Sequence, residues 1–176
     1  MSNIKTLNAS FILNNHDLDH DNLTITAFIK QNCEEIELTF TTKDLSPYLN
    51  QPVGHNKRLD FLWKNTCFEL FISKTNEEYR EYNFDINGNW QCYDFTSYRS
   101  GRSVPQVSSP IIKYEIGSAV TIRIKDSLTN PINICAILKD KNDKLDYFSI
   151  KNGPDQEPDF HNKKSWLNIK VDGQYS

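Results

Sequence analysis

Apolar and polar residues alternate with a period of two along most of this chain, and few segments could supply an amphipathic helix of three turns. The alternating runs are rich in β-branched and aromatic residues, which suit a pleated, half-buried surface. They cover Leu23 to Ile29, Ile36 to Phe40, Phe68 to Ile72, Tyr79 to Ile86 and Trp90 to Phe95. They continue through Ile111 to Ile116, Val120 to Ile124, Ile132 to Leu138, Leu145 to Ile150 and Trp166 to Val171. Ten strands at a spacing of about 8–12 residues predict an all-β chain folded as an antiparallel β-sandwich. No repeat, low-complexity tract or linker interrupts the pattern, so residues 1–176 are expected to form one domain.

Turn chemistry divides the strands. Asn87-Gly88 lies between two of them and is the strongest hairpin signal in the chain. Ile116-Gly117-Ser118-Ala119 reads as a second tight turn. The longest irregular stretches run from Leu45 to Leu59, Ser100 to Ser109 and Asn152 to Lys164. Loops of that length in a compact β domain tend to carry function.

One strand breaks the alternation. Cys67, Phe68, Leu70, Phe71 and Ile72 are apolar, and Glu69 stands among them. A carboxylate there is costly to bury unless it is paired or reached from solvent. Trp63 lies six residues earlier, the same face if the strand is continuous. A second cluster follows from the hairpin. With Asn87-Gly88 as a two-residue loop, Asp85 opposes Trp90, Asn83 opposes Cys92 and Glu81 opposes Asp94. Tyr82, Phe84, Tyr93 and Phe95 then form a core face, and the other face carries Glu81, Asn83, Asp85, Trp90, Cys92 and Asp94. Carboxylates directly opposite each other repel, so this face calls for an arginine, a cation or water. Arg99 and Arg102 follow closely. The face reads either as the wet side of a sheet or as a polar groove with aromatic rims.

Composition narrows the functional classes. The net charge is −3 and the lysines and arginines are scattered, which argues against a nucleic-acid partner. No stretch approaches the roughly 18 apolar residues of a membrane span, and no leader pattern opens the chain, so a cytosolic location and no membrane partner are expected. Cys33, Cys67, Cys92 and Cys135 lack zinc or redox spacing and read as buried free thiols. Asn8-Ala-Ser10 and Asn22-Leu-Thr24 match the glycosylation triplet, which has no consequence without secretion.

The stretches from Asp60 to Ser73 and from Tyr79 to Gly101, with Pro158-Asp-Phe-His161, resemble the DOMON-like domains related to family-9 carbohydrate-binding modules. The match is to a small bacterial branch that stands alone, and it covers the chain from about Leu59 onward. Its elements are W-x5-E at Trp63 and Glu69, E-x-N-F-x-x-x-G-x-W from Glu81 to Trp90, Y-R-x-G from Tyr98 to Gly101, and P-D-F-H ending at His161. The resemblance implies a jelly-roll sandwich with a ligand pocket on a curved sheet. Trp63 and Glu69 match the first aromatic and the acidic position of the family's pattern; the expected site is Trp63 as a stacking platform, Glu69 and Arg99 as hydroxyl partners, and Glu81, Asn83 and His161 as further polar contacts. Phe160 and Trp166 lie where relatives supply a second aromatic wall.

The expected function is therefore non-catalytic binding of a small saccharide or polyol. Sugars offer apolar C–H faces to aromatic rings and paired hydroxyls to carboxylates and guanidinium groups. A protein-interaction or structural module without a small ligand is the alternative. An enzyme would have to use His161, with Asp159 nearby, and carboxylates such as Glu69, Glu81 and Asp94, in the manner of a hydrolase. No cofactor is expected. Haem ligation by Met and His from inside the fold is excluded because the only methionine is Met1, and the spacing of His16, His20, His55 and His161 does not support a bis-His site. Calcium is allowed by the carboxylate count, but no D-x-D-x-D-G loop specifies it.

Overall fold

The computed structural model describes residues 7–16, 23–43, 55–115, 118–153 and 158–169. Their architecture is an antiparallel β-sandwich of ten strands. In chain order these are β1 (Leu7–Asn15), β2 (Ile25–Asn32), β3 (Glu35–Thr41), β4 (Cys67–Ser73) and β5 (Tyr79–Asp85), followed by β6 (Trp90–Phe95), β7 (Ile111–Glu115), β8 (Ala119–Lys125), β9 (Ile132–Lys139) and β10 (Leu145–Ser149). They run β6-β5-β4-β9-β10-β1-β2-β3-β8-β7 in one curled sheet. The curl turns on β1, whose residues Leu7–Leu13 pair with β2 while Asn14 and Asn15 pair with β10. A strand that serves both halves makes the corner of a sandwich.

The alternation in the sequence is what packs the halves together. From β1 to β3 the inward positions include Phe11, Ile29, Leu38 and Phe40. They meet Phe68, Leu70, Phe84, Ile134 and Phe148 of the facing half, with the Phe40 and Phe68 rings 4.6 Å apart. The half made of β6, β5, β4, β9 and β10 is unusual in being covered on its outer face too. There Cys67, Phe71, Tyr79, Tyr93, Phe95 and Ile137 pack under Leu62, Phe160 and Trp166. Double coverage explains why β4 reads as a nearly continuous apolar run and is buried along its whole length.

Three expectations change. Strand β1 was not among the ten, because Phe11-Ile-Leu13 masks its alternation: Leu7, Ala9, Phe11 and Leu13 point inward while Ile12 is 67% exposed. The strand expected over Trp166 to Val171 is reduced, over its described residues, to isolated bridging, with Leu167 paired to Ile132. Ile116 and Gly117, and the segments 44–54 and 154–157 of the long irregular stretches, lie outside the described residues.

The third change is the hairpin register. Asp85 N donates to Asn89 O at 2.9 Å, and Gly88 takes φ 80°, so the loop is Ile86-Asn87-Gly88, three residues long. The Asp85 carboxylate selects it by accepting from the backbone N–H groups of Asn87 and Asn89, each at 2.8 Å. The extra residue moves β6 by one position. Glu81 opposes Tyr93, and Arg80 opposes Asp94. The expected Glu81–Asp94 confrontation is replaced by a bidentate Arg80–Asp94 pair at 2.7 and 2.8 Å. The expected faces are exchanged as well: Trp90 and Cys92 enter the inter-sheet core with Tyr82 and Phe84, while Tyr93 and Phe95 join Glu81 and Asn83 outside.

Candidate functional site

The outer face of β4, β5, β6, β9 and β10 holds a cavity of about 360 Å³, open on one side. Glu69 and Glu81, 3% and 4% exposed, form its floor with Ile137. Trp63, Tyr93, Phe95, Tyr147 and Phe160 supply its apolar walls. Arg99, Arg102, Pro158 and His161 complete the lining. A cavity of this size with aromatic walls and few polar groups suits a small ligand.

Trp63 does not arrive on a continuous strand. The chain takes a 3₁₀ turn over Leu62–Lys64, entered through Phe61 at φ 64°, before β4 begins at Cys67. The turn lays the Trp63 indole against Tyr93, with ring centroids 6.0 Å apart and an edge-on geometry. Phe160 is fixed from the other side by its own carbonyl, which accepts from Trp166 Nε1 at 2.8 Å and from Asn133 Nδ2 at 3.2 Å. Of the two candidates for the second aromatic wall, Phe160 lines the cavity and Trp166 packs in the apolar cluster with it.

Glu69 sits opposite Asn83 of β5 and Cys135 of β9. It has no hydrogen-bond or ion-pair partner among the described residues, and its carboxyl group is turned to the cavity. Glu81 is its diagonal neighbour across the β4–β5 ladder, a placement of roughly 7–8 Å between backbones. Glu81 Oε1 accepts from Asn83 Nδ2 at 2.6 Å, and Oε2 lies 3.7 Å from His161 Nε2. Asn83 is itself fully buried and does not line the cavity, so it positions Glu81 rather than facing a ligand.

Burial raises the pKa of both carboxyl groups. Glu69 is pushed well above the usual range by desolvation and then by the charge of Glu81, with Arg99 opposing. Glu81 rises from 4.5 to about 7, again by desolvation, although Asn83, Arg99 and Arg102 pull it down. His161 goes the other way, to about 4, through burial and the nearby Arg99 charge, with Asp159 opposing. The imidazole is therefore neutral near pH 7, and its tautomer follows from its neighbours. Tyr79 Oη accepts from Arg99 N at 3.1 Å and donates to His161 Nδ1 at 2.6 Å, which leaves the ring proton on Nε2, toward Glu81.

Arg99 is held in place by the P-D-F-H segment. Its Nη2 donates to Asp159 Oδ1 at 2.9 Å, and Tyr98 Oη donates to Asp159 Oδ2 at 2.7 Å. Half its side chain remains in solvent. Arg102 lies over the Tyr93 ring at 5.0 Å. The structure thus gathers Trp63, Glu69, Glu81, Arg99 and His161 around one cavity and sets Asn83 behind it. Tyr93, Phe95, Arg102, Ile137, Tyr147 and Pro158 were not singled out as site residues. Tyr93 and Phe95 were hidden by the register error, and Tyr147 is brought there only by the long-range β9–β10 pairing.

Cys67, Cys92 and Cys135 are buried free thiols, raised in pKa by burial, whereas Cys33 is exposed at a turn. Among the described residues, no three or more His, Cys, Asp or Glu side chains form a group suited to a metal ion. His16 bonds Ser149 Oγ at 2.9 Å, and His20 lies outside the described residues.

The buried carboxyl pair has a consequence for stability. A carboxyl group whose folded pKa exceeds its unfolded value contributes stability that is fully present below about pH 4.5 and lost as the pH rises through about 7. Glu69→Gln removes one of the two like charges at nearly constant volume. It is expected to raise the unfolding free energy at pH 8, where burial and the charge of Glu81 oppose ionisation of Glu69. The gain should shrink at pH 5, and urea unfolding at the two pH values measures it. An equal effect at both would show that Glu69 is not destabilised by ionisation.

No protein-family model matches the chain, and no curated protein matches it in sequence. Among solved structures the fold is similar to the crystal structure of a "putative carbohydrate-binding protein" from Bacteroides uniformis, with a TM-score of 0.65 and 12% sequence identity. The alignment covers 93% of this chain and 84% of the other. At that identity the likeness concerns the fold: the sandwich is shared.

Proposed function

We propose that this protein binds a small saccharide or related polyol, without chemical conversion, in the cavity above β4 and β5. The observation that carries the reading is Glu69: a residue 3% exposed whose carboxyl group has no partner among the described residues and is turned into an aromatic-walled cavity. A buried polar group normally finds its partner within the protein, so one left open to a cavity is a contact held for a ligand. Trp63 presents ring surface for the C–H face of a sugar, and Glu69, Glu81 and the Nε2–H of His161 present acceptors and a donor for hydroxyls. Arg99, oriented by Asp159, serves hydroxyls nearer the opening. The resemblance to DOMON-like domains related to family-9 carbohydrate-binding modules supports the same ligand class, as does the likeness in fold to the "putative carbohydrate-binding protein" of Bacteroides uniformis.

A binding role also fits the layout of the carboxyl groups better than hydrolysis does. Glycoside hydrolysis needs two carboxyl groups flanking the scissile bond. Here both rise from neighbouring strands of one sheet and meet a ligand from the same side. The test is a thermal-shift screen against monosaccharides, disaccharides, sugar phosphates and nucleotide sugars, repeated with Trp63→Ala. A ligand at 100 times its Kd should stabilise the folded state by about 2.7 kcal/mol, and the shift should disappear in the folded Trp63→Ala variant. No shift across the panel would sink the saccharide reading and turn attention to a protein partner.

A further inference from the structure

We propose that the floor of the cavity receives an ammonium group, so that the saccharide is an amino sugar bound through its free amine between Glu69 and Glu81. This inference rests on the saccharide reading above and adds the group that the floor selects. Both oxygens of Glu69 are without partners among the described residues; Glu81 Oε1 is taken by Asn83, and Oε2 lies 3.7 Å from His161 Nε2, beyond a hydrogen bond. Three carboxyl oxygens on one face of the sheet are therefore left without a hydrogen bond, and an ammonium group brings three N–H donors, whereas a hydroxyl brings one. The surroundings favour a cation on two further grounds. Aromatic rings of Trp63, Tyr93, Phe95 and Phe160 line the cavity, and one of them, Tyr93, already carries a cation, with Arg102 5.0 Å from its centroid. No lysine or arginine of the protein forms an ion pair with either glutamate among the described residues. Arg99 is held by Asp159 at 2.9 Å, and His161 is neutral.

Charge bookkeeping gives a distinctive signature. The groups facing the pair are Arg99 and Arg102 from the β6–β7 connection, Asp159 and His161 from the segment after β10, Tyr79 of β5, Tyr93 of β6 and Tyr147 of β10. Cys67 of β4 and Cys135 of β9 lie behind it as un-ionised thiols. Near pH 7 the pair retains a proton because like charges cannot both ionise cheaply in a dry site. An entering ammonium supplies the missing charge, both carboxyl groups ionise, and the retained proton passes to solvent. Affinity should therefore rise with pH through the range in which Glu81 titrates, and fall where the amine loses its own proton.

The experiment is titration calorimetry of the full chain with glucosamine, galactosamine, glucose, galactose and N-acetylglucosamine. It is run at pH 7 in two buffers of different ionisation enthalpy. The expected result is that one amine binds at least about tenfold more tightly than its hydroxyl and N-acetyl counterparts. Its observed heat should change with buffer, reporting proton release. Glu69→Gln should abolish the preference, and Glu81→Gln serves as a second variant should the first fail to fold. The wild-type comparison stands without either. Neutral sugars binding as tightly as the amines would overturn the ammonium floor and leave the saccharide reading intact. Binding of neither class would overturn both.

Discussion

Replacing Arg80 by leucine is expected to lower the unfolding free energy by about 2–3 kcal/mol. The guanidinium is 16% exposed and bridges two carboxylates. Nε and Nη2 hold Asp94 across the β5–β6 ladder, and Nη1 reaches Asp126 Oδ2 at 3.0 Å, where Tyr82 Oη also donates at 2.9 Å. Removing it leaves Asp126, 13% exposed, with Lys74 at 3.6 Å as its one remaining cation among the described residues. Asp94 is about a third exposed and can turn to water, which is why the figure sits below that of a fully sealed pair. Lysine at position 80 keeps the charge but cannot reproduce the fork, so Arg80→Lys should recover about half of the loss. Arg80 alternates with Glu81 along β5 and faces away from the cavity, so ligand affinity measured well below the melting temperature should be unchanged. Urea unfolding of the two variants decides it. A loss under about 0.5 kcal/mol would demote the bridge to an ordinary surface pair.

The same residue shows what local pattern can and cannot yield. Period-two alternation is a property of each strand alone, so the strands were legible wherever the inward and outward sets differed in polarity. It failed at β1, where Ile12 faces solvent. Register is a property of two strands and their turn. Asn87-Gly88 announces a hairpin, but the side chain of Asp85, folded back on the amides of Asn87 and Asn89, lengthens the loop by one residue. That single residue exchanges every β6 side chain between faces, turning a supposed carboxylate clash into the Arg80–Asp94 fork. Glu69 was legible for the opposite reason: a charge inside an apolar run is a contradiction that packing alone cannot resolve. Trp63 was assigned to the face of Glu69 through a continuous strand, yet it reaches the cavity by a 3₁₀ turn. Tyr147 carried no local anomaly, since only the long-range pairing of β9 with β10 brings it to the cavity, whereas Arg102 was visible only as a cation near an acidic face.

Gly101→Ala is expected to damage the site more than the fold. Gly101 has φ +64°, a left-handed conformation that costs a residue with a Cβ roughly 1–2 kcal/mol. A Cβ there would also fall 2.0 Å from Thr96 Oγ1 and 3.0 Å from Thr96 Cβ and Cγ2, so Thr96 and the loop that faces it must shift apart. The segment it would move is short and already strained, because Arg99 takes φ 51°. It is tied down by Thr96 N donating to Ser100 O at 3.2 Å and by reciprocal bonds between Asp94 and Ser103 at 2.8 and 2.9 Å. Arg99 N also donates to Tyr79 Oη, the hydroxyl that fixes the His161 tautomer. A displaced loop therefore loosens Arg99, Arg102 and His161 together, and losing one ligand hydrogen bond made by a charged group is worth about 1.5–3 kcal/mol, roughly 10- to 100-fold in affinity. The expected outcome is a total stability loss of about 2 kcal/mol, the strain being confined to one loop, with ligand affinity falling at least about tenfold. The Gly101→Ala/Thr96→Ala double variant separates the causes. It removes Oγ1 and Cγ2 but neither the φ penalty nor the Cβ contact, so partial recovery of affinity without full recovery of stability is expected. Full recovery of both would place the whole effect in the Thr96 collision, and no recovery of affinity would show that the left-handed turn alone sets the position of Arg99.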